Sequence, residues 1–268
     1  MSAAPPAGAT HPPLTVLTRG ELEIEGRLVD ASNTTVRCFA SLDGVTVRCV
    51  YKPVAGERPL WDFPDGTLAG REVAAYLLSQ AAGWDLVPPT VLRDGPFGPG
   101  ACQLWIDEGK EALVDLVPEP ELPPGWHPVL AAEDEAGTAY VLGHAEDPRL
   151  ARLAVFDLVV NNADRKGGHV LVTPAGGVYG VDHGVCFHVE PKLRTVLWGW
   201  ADQRLPAEAG PVLAELERAL EGPLGQALAA HLSRLEVSAV GARVARLRAA
   251  GRFPTPAGLS RPIPWPPM

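Results

Sequence analysis

The sequence predicts an α+β fold in two parts, a strand-rich lobe at residues 20–106 and a mainly helical lobe at 107–268, behind an Ala/Pro-rich tail at 1–19 expected to be disordered. Three observations carry this reading. Alternating runs of β-branched residues crowd positions 22–53, and helical periodicity dominates the chain after residue 209. The third is bulk composition: 268 residues with 46% hydrophobic and 21% charged side chains can bury a substantial core.

Taken in order, "LEIEGRLVD" alternates, "ASNTT" interrupts it, and "TVRCFASLDGVTVRCVYK" gives two strand runs around Asp43-Gly44. A two-residue turn there sets Cys38 opposite Cys49, whereas a three-residue loop pairs Cys38 with Arg48; the sequence leaves both registers open. After the loop "AGERPLWDFPDGT", the segment "LAGREVAAYLLSQAAG" reads as a helix with Leu68, Val73, Leu77 and Leu78 on its buried stripe and Gly83 as its stop. Two short strands follow, in "LVPPTVL" and "GACQLWI". Residues 107–147 are acidic and proline-rich and read as a connector, with a hairpin within "WHPVLAAEDEAGTAYVLG". Asp147-Pro148 is a helix start, an N-cap acceptor followed by proline in the first turn, and that helix runs to Asn161. Two apolar runs, "HVLV" and "VYGV", make a small hairpin, and two or three helices complete the chain.

The totals also exclude function classes. A net charge of −9 argues against a nucleic-acid surface, which needs clustered Lys and Arg, and against strong attraction to an anionic membrane. No run of about 18 apolar residues predicts a membrane span, and the start "MSAAPPAGATHPP" lacks the blocks of a signal peptide. Cys38, Cys49, Cys102 and Cys186 lack metal-ligand spacing and read as reduced thiols of a cytoplasmic protein. The scattered His127, His144, His188 and His231 share no ligand spacing. Arg234, Arg243, Arg246, Arg248 and Arg252 read as a solvated helix face, and Trp198 and Trp200 as packing residues.

The order of charged residues points to chemistry. Lys52 lies alone in "VRCVYKP", Glu72 follows twenty positions later on the predicted helix, and the second lobe supplies Asp164, His169 and Asp182. Phosphoryl transfer asks for such a set: a cation on the nucleotide phosphates, a carboxylate to orient it, a base near the acceptor hydroxyl and two metal ligands.

With those residues in place, the chain resembles the protein-kinase-like superfamily, most closely its phosphatidylinositol 3- and 4-kinase and HipA-like branches, and is similar to an actinobacterial group placed with the phosphatidylinositol kinases. The resemblance spans about residues 20–190 by element order, and its specific motifs are two short stretches. "DRKGGH" at 164–169 stands where the lipid kinases have D-R-H-x-x-N, and "DHG" at 182–184 stands for D-F-G. The resemblance implies a bilobal kinase-like fold and an ATP-dependent transfer of the γ-phosphate to a hydroxyl of an unidentified acceptor, whether lipid, protein or small molecule. It implies Asp164 as base, Arg165 as a structural or phosphate contact, Lys166 on the transferring phosphate, and Asp182 as principal ligand of Mg²⁺ or Mn²⁺. Lys52 and Glu72 would serve the ATP phosphates, Ser32, Asn33 and Thr34 would cover them in a loop without GxGxxG, and Val50 and the stretch Leu104 to Ile106 would hold adenine. His169 replaces the family's asparagine, and imidazole suits Mn²⁺ better than Mg²⁺; Asn162 is a second candidate for orienting the base. The altered loop keeps two alternatives open, a pseudokinase acting as a nucleotide-binding interaction module and AMP transfer on the same fold.

Overall fold

The computed structural model describes residues 11–28, 33–58, 60–63 and 66–268. The first lobe is a five-stranded antiparallel sheet of order β1-β2-β3-β5-β4, built from β1 (Glu21–Leu28), β2 (Thr35–Leu42), β3 (Val45–Pro53), β4 (Thr90–Gly95) and β5 (Gly98–Leu104). Asp43 and Gly44 both adopt positive φ, so the β2–β3 turn has two residues and Cys38 pairs with Cys49. All four cysteines are free and buried.

Residues 13–19 depart from the disordered tail expected at 1–19, of which residues 1–10 lie outside the described residues. Pro13–Arg19 form helix α1, whose Val16 and Leu17 are buried against Cys38, Ala40, Cys49, Tyr51 and Cys102 on one face of the sheet. Two adjacent apolar residues suffice here because Arg93 reaches across to the carbonyls of Leu17 and Gly20, at 2.7 Å each, and fixes the end of the helix. On the opposite face lies α2 (Leu68–Ala81), capped by Thr67, whose hydroxyl accepts from Gly70 N at 2.9 Å. Ala69 and Val73 of α2 pack on Ala101, while Ala74, Ala75 and Leu78 turn into the core of the second lobe. One helix therefore belongs to both cores.

At Gly100 an added Cβ would lie 2.6 Å from the Lys52 carbonyl oxygen and 2.8 Å from Pro53 Cα, both backbone atoms. Gly100→Ala is expected to lower stability by about 1–3 kcal/mol, read as a lower urea midpoint, because the two strands must part. An unchanged midpoint would show that this close approach is not required.

The segment 107–147 is more ordered than a connector. It forms a three-stranded antiparallel sheet of order β6-β8-β7 from β6 (Val114–Pro118), β7 (Trp126–Glu133) and β8 (Ala139–Ala145). β8 is the central strand and carries buried Val141, Leu142 and His144, and the expected hairpin is β7–β8.

Helix α3 (Pro148–Val160) starts at Asp147, whose carboxylate accepts from Arg149 N at 2.7 Å, and ends at left-handed Asn161. The short hairpin of β9 (Val170–Val172) and β10 (Val178–Gly180) follows. Helices α4 (Ala209–Leu220), α5 (Pro223–Leu228) and α6 (Arg234–Ala250) close the lobe, α6 with a Ser233–Glu236 capping box. Residues 262–268 then run back over the lobe. The Pro262 carbonyl accepts from Thr195 N at 3.0 Å and Trp198 Nε1 at 2.9 Å, and the Pro267 carbonyl accepts from Gly167 N at 2.9 Å.

Candidate active site

A cavity of about 590 Å³ lies between the two lobes. Of the residues singled out from sequence, it brings together Asn33, Thr34, Val50, Lys52, Glu72, Leu104, Ile106, Asp164, Lys166, His169 and Asp182. Ser32 lies outside the described residues. Arg165 is not in the lining.

Strand alternation sets the upper wall. Cys49 and Tyr51 point to α1, so Val50 and Lys52 point to the cavity, with Gln103 beside Val50 across the β3–β5 pair. Lys52 Nζ bonds Glu72 Oε1 and lies 3.0 Å from Asp182 Oδ1, so one ammonium bridges a carboxylate from each lobe. Burial opposes the lysine's charge, but Asp182 and Glu72 outweigh it and the net shift is upward. The same ammonium holds the Asp182 carboxyl well below the usual carboxylate range. Glu72 is 2% exposed, and its other oxygen accepts from His183 N at 3.0 Å. Arg71 adds a buried interlobe pair with Glu236 of α6, at 2.6 Å, and donates to the Cys186 carbonyl at 2.7 Å. Helix α2 is thus anchored to the second lobe at two neighbouring residues.

The lower wall is the turn after α3. Asn162 Oδ1 accepts from Asp164 N at 2.9 Å while its amide donates to Asp157 at 3.0 Å, which fixes the backbone of Asp164. Lys166 Nζ stands 3.6 Å from Asp164 Oδ2. Burial raises the Asp164 carboxyl to about 6, against the pull of Lys166. His169 Nε2 faces Asp182 Oδ2 at 3.5 Å. Burial lowers the imidazole to about 4, so at neutral pH it is uncharged and has a lone pair to offer. Asp182 itself has φ 60°, a left-handed conformation uncommon for aspartate and found where a site over-determines the backbone.

Arg165, expected as a structural or phosphate contact, takes a structural place outside the cavity lining. It is 0% exposed and pairs with Asp157 of α3, itself 0% exposed, at 3.0 Å. Its remaining donors go to the carbonyls of Val181 at 2.9 Å and His169 at 3.1 Å, and to His183 Nε2 at 2.7 Å. A guanidinium with five donors ties α3, the 164–169 turn and the 181–183 turn into one unit. It positions the site without touching the cavity.

Sequence reasoning missed several lining residues. Leu171, Val181 and Val185 supply apolar wall from the β9–β10 hairpin and its exit, and Gln103 donates to Thr90 Oγ1 at 2.8 Å inside the rear wall. The only advance signal was the apolar alternation of "HVLV" and "VYGV". Asn33 is also partly committed, since its Oδ1 accepts from Arg58 N at 2.8 Å. The backbone donors of Leu104 and Trp105 are used by the carbonyls of Pro89, at 2.8 Å, and Arg48, at 3.0 Å.

A strand lobe and a helical lobe joined over such a cleft define the protein-kinase-like class of folds. The crystal structure of the Golgi casein kinase with Mn/ADP bound matches with TM-score 0.55 at 12% identity, covering 88% of this chain and 74% of that one. A Helicobacter pylori proinflammatory kinase, CtkA, overlaps with TM-score 0.42 at 11% identity, over 88% of this chain and 94% of that one. The chain belongs to the same family as Protein Rv2133c of Mycobacterium tuberculosis, with which it is 52% identical over 261 residues, 94% of each chain. No protein-family model matches the sequence.

Proposed function

We propose that this protein is an ATP-dependent phosphotransferase that moves the γ-phosphate of ATP to a hydroxyl acceptor. The observation that carries the reading is the Glu72–Lys52–Asp182 bridge across a cleft that also holds Asp164, Lys166 and His169. Lys52, oriented by Glu72, binds the α/β-phosphates. Asn33, Thr34 and the adjoining Ser32 cover them, Val50 and Leu104 flank adenine, and the Ile106 backbone serves its edge. Asp164, held by Asn162, accepts the acceptor's proton, and Lys166 meets the transferring phosphate.

Among the described residues no group of three or more His, Cys, Asp or Glu forms a metal cage. Asp182 and a neutral His169 facing each other suit an ion that takes its other ligands from phosphate and water, so these two would hold Mg²⁺ or Mn²⁺. When bound, such an ion neutralises charge on the β- and γ-phosphates. A nitrogen donor favours Mn²⁺ over Mg²⁺. The described residues contain no helix long and apolar enough to cross a membrane.

Thermal shift with ATP plus Mn²⁺ or Mg²⁺, followed by transfer or hydrolysis of labelled ATP, tests the reading. The expected result is a metal-dependent rise in melting temperature, larger with Mn²⁺, and γ-label transfer lost in Asp164→Ala and Asp182→Ala. Activity unchanged in both variants would overturn the assignment. Binding without turnover supports the second reading, a pseudokinase, favoured by His169 in place of asparagine; α-label transfer marks AMP transfer instead.

A further inference from the structure

A second cavity, about 460 Å³, shares no lining residue with the catalytic cleft. It is enclosed by α6, the end of α3 and the segments 189–198 and 252–259. Its volume falls within the roughly 300–1,000 Å³ typical of small-molecule sites. The walls are apolar, with Leu158, Leu193, Leu247, Phe253 and Leu259 among them.

The charged residues of this lining are all of one sign. Arg243, Arg246 and Arg252 contribute to it, and no aspartate or glutamate does. This departs from the sequence expectation of a solvated arginine face, because Arg243 is only 8% exposed. Its Nε donates to the Val159 carbonyl at 2.9 Å and its Nη1 to the His188 carbonyl at 3.1 Å. Among the described residues its Nη2 has no partner, and no carboxylate pairs with it. Burial pushes this guanidinium down to about 10, and neighbouring Arg246 pushes the same way. Arg246 is exposed and makes no ion pair among the described residues. Arg252 is partly neutralised by Asp202 at 3.2 Å. A buried guanidinium beside apolar walls with an unpartnered Nη2 and no carboxylate paired to it is costly, and an anion with an apolar body answers both features at once.

We infer that this cavity is a binding site for an amphipathic organic anion, an aliphatic chain ending in a carboxylate. The chain occupies the apolar walls and the head lies toward the arginines, with Arg246 as the reachable contact. The site stands independently of the phosphotransferase reading.

Dodecanoate, kept below its micellar concentration, is the probe. Titration by calorimetry and by intrinsic fluorescence uses Trp198, which lines the cavity and is fixed by its bond to Pro262. Saturable one-to-one binding is expected, at least tenfold tighter than for dodecanol or dodecyltrimethylammonium. Arg246→Glu, at an exposed position, is expected to fold normally and to weaken dodecanoate at least tenfold while leaving dodecanol unchanged. Trp198→Phe should remove the fluorescence response but not the heat. Arg243→Met should weaken binding further if it folds, and Arg246→Glu decides the question if it does not. No saturable binding, equal affinity for the cationic and anionic probes, or full affinity in Arg246→Glu would each overturn the proposal.

Discussion

Asp157→Ala is expected to cost about 3–5 kcal/mol of stability, because it leaves the Arg165 guanidinium buried without its counter-charge. For a chain of this size that corresponds to a fall in melting temperature on the order of 10 °C. The damage is not confined to one pair. Asp157 Oδ1 also accepts from Asn162, whose Oδ1 in turn holds Asp164 N, so the same deletion loosens the turn that carries the candidate base. Urea denaturation measures the first effect, and hydrogen exchange across residues 162–169 measures the second. A double replacement, Asp157→Leu with Arg165→Met, should recover much of the lost stability, since matched apolar groups avoid an unpaired charge, but not the order of the turn. A loss below about 1 kcal/mol in the single variant would contradict the assigned role of the pair.

Asp164→Asn should lower the transfer rate by about 10²–10⁴-fold, the usual contribution of a positioned general base, with little change in melting temperature. Asparagine keeps the shape, and the backbone bond to Asn162 does not involve the side chain. The wild-type rate should also carry the signature of the raised carboxyl. Only the ionised form accepts a proton, so kcat/KM should rise with pH through about 6 and then level off. His169, lowered to about 4, remains neutral across that window and adds no limb of its own. A rate independent of pH between 5 and 8, or an asparagine variant with full activity, would remove Asp164 from the role of base.

What was legible in the sequence follows from where each signal resides. Lys52, Glu72, Asp164, His169 and Asp182 could be ordered because each sits at the edge of an apolar run or on an element with clear periodicity. The β2–β3 register needed the backbone: Asp-Gly permits more than one turn, and only the positive φ of both residues fixes Cys38 against Cys49. The β6–β8–β7 sheet went unread as a whole because the outer strand β7 has no fully buried position and so shows no clean alternation. Helix α1 escaped because its buried stripe is two residues long and its anchor, Arg93, comes from a strand far along the chain. The choice between a structural and a phosphate contact at Arg165 was not legible. Its neighbours are polar, and burial of an arginine is a tertiary property. The available clue was its partner, a lone aspartate inside the apolar helix segment "AVFDLVV", which needed a cation from elsewhere.

The return of residues 262–268 has a practical consequence for anyone handling the protein. Pro267 bonds Gly167, three residues from Asp164, and Met268 lies against the same glycine. A purification tag or fusion partner joined after Met268 would begin beside the turn that carries Asp164, where its bulk and charge act on Lys166 and His169. Kinetic work is therefore best done with Met268 left unextended.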